Sequence, residues 1–221
     1  MSPEIVRLLL EALGQTLYMV AAAGLTGTAL GLPLGVFLAT SGRGELFQAV
    51  ALNRALGLVV NATRSTPFII LVVAIIPFTR LVAGTSIGTT AAIVPLTVAA
   101  TPFIARIIEA AIREVDPGLI EASRAMGATP LQIVRKVLLP EALPAIVLGL
   151  TLTAVSLIGY SAMVGAVGGG GLGDLGIRFG YQRFMPEVMA AVVLVLIALV
   201  QAVQSLGDRI ARRVNKRLRD A

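Results

Sequence analysis

The 221-residue chain contains no cysteine and no histidine. Without cysteine, disulfides, thiolate metal sites and thiol nucleophiles are excluded. Without histidine, a Ser-His-Asp triad, a His-ligated zinc and an imidazole proton shuttle are excluded as well. Charge is also scarce: charged residues make up 14% of the chain, where a soluble globular domain carries about 25%. Hydrophobic residues supply 57%. That composition excludes intrinsic disorder and an ordinary water-soluble domain.

The charge that is present is unevenly placed. Lysine and arginine total 18 against 12 acidic residues, a net charge of +6. Six of those basic residues, Arg209, Arg212, Arg213, Lys216, Arg217 and Arg219, crowd between Asp208 and Asp220. Without that tail the chain holds 12 basic against 10 acidic residues. The basicity belongs to one terminus and does not describe a nucleic-acid surface.

A helix crossing a bilayer core needs about 20 mostly apolar residues. Uncharged runs occupy 12–42, 81–105, 142–173 and 188–207, and a fifth, 55–79, is interrupted only by Arg64. The pattern predicts an all-α membrane protein, a single transmembrane domain over 1–221 with five spans near 14–40, 58–79, 84–108, 143–167 and 187–207. Arg64 is expected to snorkel to an interface or meet a polar partner, and both Arg64 and Arg106 are placed near the cytoplasmic boundary.

Five spans put the termini on opposite sides. With the C-terminus cytoplasmic, the inner segments hold Arg43, Arg54, Arg64, Arg106, Arg113, Arg124, Arg135, Lys136 and the tail, 14 of the 18 basic residues. Arg7, Arg80, Arg178 and Arg183 remain outside. The positive-inside rule therefore sets the N-terminus outside and the C-terminus in the cytoplasm. The first apolar run is too long, and too poor in basic residues before it, for a cleavable signal peptide.

Pro33, Pro77, Pro95 and Pro102 fall within or near the ends of these spans, where neighbouring helices can satisfy the carbonyls they free. Gly27, Gly31 and Gly35 form two small-xxx-small steps that admit close helix contact, inside one subunit or between subunits.

One long polar insert, 112–142, separates the third and fourth spans. From Arg106 to Glu141 its five basic and five acidic residues cancel, which does not suit a phosphate backbone. Glu109 and Arg113 stand at i, i+4, a favourable helix pair. Asp116-Pro117 reads as an N-cap with proline at N1, and Gly127 as the residue that ends the short helix. Thr129-Pro130 opens another helix, with Leu131, Val134, Val137 and Leu138 on one face. Leu139-Pro140 and Pro144 are expected to break the chain before the fourth span. The product is a helix, tight turn and helix with small residues at its tip, read as a knob that enters a cleft on a cytoplasmic partner, with a purely structural connector as the alternative.

Glu121-Ala122-Ser123, then Gly127, Ile133 and Leu139-Pro140, resembles the EAA motif of ABC-importer permeases, with Ser at the third position where Ala is usual. Further segments resemble the methionine-import permeases of bacteria: Arg64 to Leu71, Ile76 to Arg80, Gly84 to Gly88, Ala91 to Thr97 and Gly159 to Met163. The resemblance implies the type I ABC-importer permease fold in the bacterial inner membrane. It implies an ATPase-coupling role for Glu121, Ala122, Ser123, Ala125, Met126, Gly127, Ala128, Leu139 and Pro140. It also implies as partners a second copy of the chain, two cytoplasmic ABC ATPase subunits and an external substrate-binding lipoprotein. No cofactor is expected on this chain, since it has no P-loop; ATP-Mg would sit on the ATPase. The substrate implied is methionine, with another polar amino acid or an osmolyte as the alternative.

Near the outer end of the fourth span, Met163 lies among small residues. A flexible thioether there is a candidate hydrophobic constriction of a translocation path, with ordinary packing as the alternative. Tyr160 and Ser161 are candidates to line the same path. Gly171 to Gly176 matches GxGxxG but follows a membrane span and not a strand, so it is no dinucleotide site; the run Gly168 to Gly171 reads as a flexible external loop, positioned to meet a substrate-binding protein. An intramembrane protease is disfavoured because Lys136 and Lys216, the only lysines, lie in cytoplasmic basic segments. Ion-coupled transport is disfavoured because intramembrane charge is almost missing.

Overall fold

The computed structural model describes residues 3–215 and is helical, with no strand among them. Its helices are α1 (Pro3–Thr40), α2 (Val50–Ser65), α3 (Phe68–Ala74), α4 (Ile76–Ala83), α5 (Thr89–Arg113), α6 (Pro117–Ala125), α7 (Pro130–Ile133), α8 (Leu139–Gly165), α9 (Gly171–Leu175) and α10 (Pro186–Val214). π-helical turns occupy Val134–Leu138 and Gly176–Gln182. Arg209, Arg212 and Arg213 ride on α10; Lys216, Arg217 and Arg219 of the basic tail lie outside the described residues. Four stretches, α1, α5, α7 to α8 and α10, are long and apolar enough to cross a bilayer, and the bent pair α2 and α3 makes up to five.

Two expectations about continuity are corrected. The second span is not one helix over 58–79. α2 begins at Val50, stops at Ser65, and its axis meets that of α3 at 106°. Thr66 is extended (φ −82°, ψ 126°) because the ring of Pro67 excludes the helical region for the residue before it. α4 then starts with Pro77 in its first turn and ends at Gly84, whose φ is 74°. The next span, α5, begins at Thr89 and not at 84.

Conversely, Leu139-Pro140 and Pro144 do not break the chain. α7 and α8 run together from Pro130 to Gly165. The Leu139 N–H donates to the Val134 carbonyl five residues back, and this wider turn places Pro140 in the first turn of α8, where a missing N–H is tolerated.

α5 is the central helix. Half of its most apolar stretch is buried, against 11% for α10, which leaves one apolar helix at the periphery for lipid. α1 lies against α5 along Gly27, Gly31 and Gly35. A Cβ on Gly31 would stand 2.8 Å from the Thr101 carbonyl oxygen, and one on Gly35 would stand 2.5 Å from that of Ala105. Only glycine permits this approach, so the stripe serves packing within one subunit. The Thr26 and Thr97 hydroxyls, 2.8 Å apart, add a hydrogen bond across the same pair. At the C-terminal end of α1, the Asn53 amide donates to the Leu38 carbonyl at 2.8 Å and to Ser41 Oγ at 2.9 Å, satisfying groups freed where α1 turns toward α2.

Two glycines of α1 separate this contact from simple helix propensity. Gly35→Val is expected to lower stability by about 1–3 kcal/mol through overpacking. Gly14→Ala, where a Cβ meets nothing within 4 Å, should be neutral or gain up to about 1 kcal/mol. Thermal unfolding of the detergent-solubilised protein distinguishes them; equal melting of the two variants would contradict the packing role.

Candidate functional site

The insert folds as its local chemistry dictates. Asp116 Oδ1 accepts from the Gly118 N–H at 2.8 Å, with Pro117 at the first helical position of α6. At the other end Gly127 takes φ 78°. Its N–H donates to the Arg124 carbonyl and that of Ala128 to the Ser123 carbonyl, the two bonds of a Schellman turn. Thr129 and Gln132 then form a reciprocal capping box, with Thr129 N–H donating to Gln132 Oε1 at 2.9 Å. The two short helices and the turn between them are thus each closed by a specific local hydrogen bond.

The motif residues divide by exposure. Glu121, Ala122, Ala125, Met126 and Gly127 face outward, Met126 at 81% exposure. With Leu119 and Leu131, also exposed, Met126 gives the knob an apolar tip. Ser123 is buried and its hydroxyl donates to the Leu119 carbonyl at 2.6 Å, so a small residue is needed there for packing. Ala128 and Leu139 are half-buried against the core, and Pro140 is exposed at the start of α8. Ile133, Val134 and Leu138 join Ile108, Ile112 and Val115 of the α5 end in one apolar cluster. The knob therefore shares an apolar cluster with the end of α5 and is continuous with α8.

Above it lies an ion network that the sequence pattern only half disclosed. Glu109 is buried and pairs with Arg113 at 3.0 Å and with Arg106. Arg106 also donates to the Gly57 carbonyl at 3.1 Å and to Asn61 Oδ1 at 3.0 Å. It thereby ties α5 to α2. The Glu109–Arg113 pair was legible as i, i+4 spacing; the reach of Arg106 to a helix 45 residues earlier was not.

The path candidates separate. Tyr160 is half-buried and stacks on Phe68, ring centroids 4.4 Å apart and planes at 14°. Met163 is 40% exposed one turn further along α8. Ser161 is buried, its hydroxyl donating to the Ile158 carbonyl at 2.7 Å within its own helix, so it does not face where Tyr160 and Met163 face. The glycine run is not a flexible loop. Gly171 N–H donates to Gln15 Oε1 at 2.8 Å and Leu172 N–H to Thr16 Oγ1 at 2.9 Å, pinning α9 to α1. A Cβ on Gly173 would fall 2.3 Å from the Ala162 carbonyl oxygen, which explains small residues here by packing. Among the described residues no group of His, Cys, Asp or Glu is arranged to hold a metal ion.

Comparison with known proteins places this geometry. Residues 31–220 match the family model described as binding-protein-dependent transport system inner membrane component. A chain from Vibrio cholerae, called a probable D-methionine transport system permease protein MetI, is 61% identical over 210 residues, 95% of this chain and 93% of that one. The D-methionine transport system permease protein MetI of Escherichia coli K12 is 55% identical over 165 residues, 75% of this chain and 76% of that one. Among solved structures, a chain of the MetNI methionine ABC transporter in an inward-facing conformation superposes with a TM-score of 0.96 at 53% identity, covering 98% of this chain and all of that one. An amino acid ABC transporter crystallised with histidines shares the fold at a TM-score of 0.79 and 22% identity.

Removing one partner of the buried network should cost more than removing both. Glu109→Gln is expected to lower stability by about 3–5 kcal/mol by leaving Arg106 uncompensated, and adding Arg106→Gln should recover part of that loss. Melting of the single and double variants checks this; strictly additive losses would show that the two residues act separately.

Proposed function

The chain belongs to the family of binding-protein-dependent transport system inner membrane components, and from that premise we propose that it is the methionine-conducting permease subunit of an ATP-driven importer. The near full-length identity to permeases named for D-methionine transport carries this reading. The chain is a multi-pass membrane protein with a transport role and not an enzyme; ATP hydrolysis belongs to the partner ATPase, which holds ATP-Mg. Two copies of the chain pair with two cytoplasmic ATPases, and an external binding lipoprotein delivers the substrate. The spans number five, with α2 to α4 forming one bent crossing, the N-terminus outside and the C-terminus cytoplasmic, in agreement with the distribution of basic residues.

Coupling follows from how the insert is held. The exposed tip around Ala125, Met126 and Gly127 seats in a groove of the ATPase, with Glu121 and Ala122 on the same outward surface. When ATP binding draws the ATPases together, each knob moves with its groove. Because the apolar spine Ile133, Val134 and Leu138 is packed on the end of α5, displacement passes to α5 and, through the unbroken helix, to α8. Tyr160 and Met163 lie toward the far end of α8 and move with it, so an inward-open path becomes outward-open. Met163 closes that path as an apolar constriction that a small shift can wet. The scarcity of intramembrane charge suits a path that takes its energy from the ATPase and not from ion binding.

Vesicles reconstituted with the whole complex should take up labelled methionine on addition of ATP, with uptake competed by methionine and poorly by other amino acids or osmolytes. Uptake indifferent to unlabelled methionine would overturn the substrate reading. In the same assay Gly127→Val, which forces a β-branched residue to φ 78°, should lower methionine transported per ATP hydrolysed, while Gly127→Asn, tolerant of that region, retains more. An unchanged ratio in Gly127→Val would remove the docking role of the tip.

A further inference from the structure

Arg64 is exposed and reaches from α2 toward α5. Its guanidinium lies over the Phe103 ring, 5.8 Å from the centroid. Phe103 lies three residues, about 4.5 Å along α5, from Arg106, the residue that closes the uncharged run 81–105. Arg64 is therefore a cation at one edge of an apolar span, and not deep within it. Among the described residues it has no ion pair and no hydrogen bond, and a contact near the 6 Å limit for a cation on a ring offers little compensation. Its place in the last turn of α2 gives it the favourable end of that helix dipole, which helps hold the charge but does not hydrogen-bond it. An arginine left without a partner at the edge of an apolar span is available to a ligand.

The surroundings define what the site takes. Arg64, Thr63, Thr66, Phe68, Phe103 and Tyr160 line a cavity of about 150 Å³ where the α2–α3 bend faces α5 and α8. The break at Thr66-Pro67 thus opens the space into which Arg64 reaches. The Thr63 and Thr66 hydroxyls donate to the Val59 and Ala62 carbonyls, leaving their oxygen lone pairs as acceptors. The Tyr160 hydroxyl has no hydrogen bond among the described residues. The stacked Phe68 and Tyr160 rings and the Phe103 ring supply apolar walls.

From this we infer that the Arg64 cavity is a transient recognition site for a zwitterionic amino acid crossing the membrane. The α-carboxylate meets the forked donors of Arg64, the ammonium meets the Thr63 and Thr66 oxygens, and a thioether side chain lies against the aromatic rings, a contact sulfur favours. One unpaired cation and no partner carboxylate give a site that accepts the substrate and releases it, as conduction requires. The inference rests on the importer reading and adds to it a place within the path that reads the carboxylate.

The test uses the permease–ATPase complex in lipid nanodiscs, without binding protein, and a photoactivatable diazirine analogue of L-methionine, with labelled peptides mapped by mass spectrometry. Labelling is expected on the segments holding Phe68, Phe103 or Tyr160. Excess L-methionine should suppress it, and L-methioninamide, which lacks the carboxylate, should not. Arg64→Gln should reduce it at least about tenfold, and Arg64→Lys, which keeps the charge but loses the fork, by less. Absence of labelling from all three segments, unchanged labelling in Arg64→Gln, or equal suppression by the amide would overturn the site. If Arg64→Gln does not assemble, the amide competition on the unsubstituted complex decides alone. Methionine uptake by the reconstituted whole complex, measured in parallel, keeps the two readings apart. Uptake without labelling rejects the site and leaves the importer reading standing, and no uptake rejects both.

Discussion

The close approach of α1 to α5 is the contact on which the rest of the molecule depends. Inside lipid there is no hydrophobic force between helices, because the surrounding acyl chains are as apolar as leucine, so association rests on van der Waals fit and a few polar contacts. Gly27, Gly31 and Gly35 supply the fit by bringing one backbone against the other, and the Thr26–Thr97 hydroxyl pair adds a polar contact. With α5 held this way along its length, its C-terminal end becomes a fixed mount. The insert, the Arg106–Glu109 network and the bent α2–α3 unit are all referred to that mount.

Rigidity then runs from the mount in two directions. On one side, the knob is closed by its own caps and shares an apolar cluster with the end of α5. On the other, Arg106 clamps α2 through the Gly57 carbonyl and Asn61. A turn later along α2, Arg64 stands free of such partners and faces the cavity beside Phe103. Two arginines only a few residues apart in depth thus have opposite fates: one is consumed by structure, the other is left available. That contrast, and not the mere presence of charge, is what singles out Arg64.

Much of this was legible in the sequence because it depends on local chemistry. Asp116-Pro117, Gly127 and Thr129-Pro130 each specify a cap or turn through their own side chains or backbone freedom, and each stands where its type predicts. The neutral insert and the uneven basic residues likewise follow from position along the chain. What escaped was set by contacts distant in sequence or by competing local rules. Thr66-Pro67 carried a break signal that a long apolar run overrode in reading. Leu139-Pro140 carried one that a π turn absorbed. The glycine run from Gly168 looked mobile because glycine permits motion, yet here it permits contact with Gln15, Thr16 and Ala162. Ser161 looked available because it is polar, but its hydroxyl is taken by its own helix.

The central claim is that the knob and the far half of α8 move as one linked unit when the ATPases bind nucleotide. Since the chain has no cysteine, spin labels can be placed singly, at Ala125→Cys on the tip and at Met163→Cys near the far end of α8. Pulsed electron paramagnetic resonance on the assembled complex then reads the distance between the two copies at each position, with and without a non-hydrolysable ATP analogue. The account predicts that the tip distance shortens and the Met163 distance changes under the same nucleotide condition, and that Gly127→Val abolishes both changes together. A tip that closes while the Met163 distance stays fixed would contradict it.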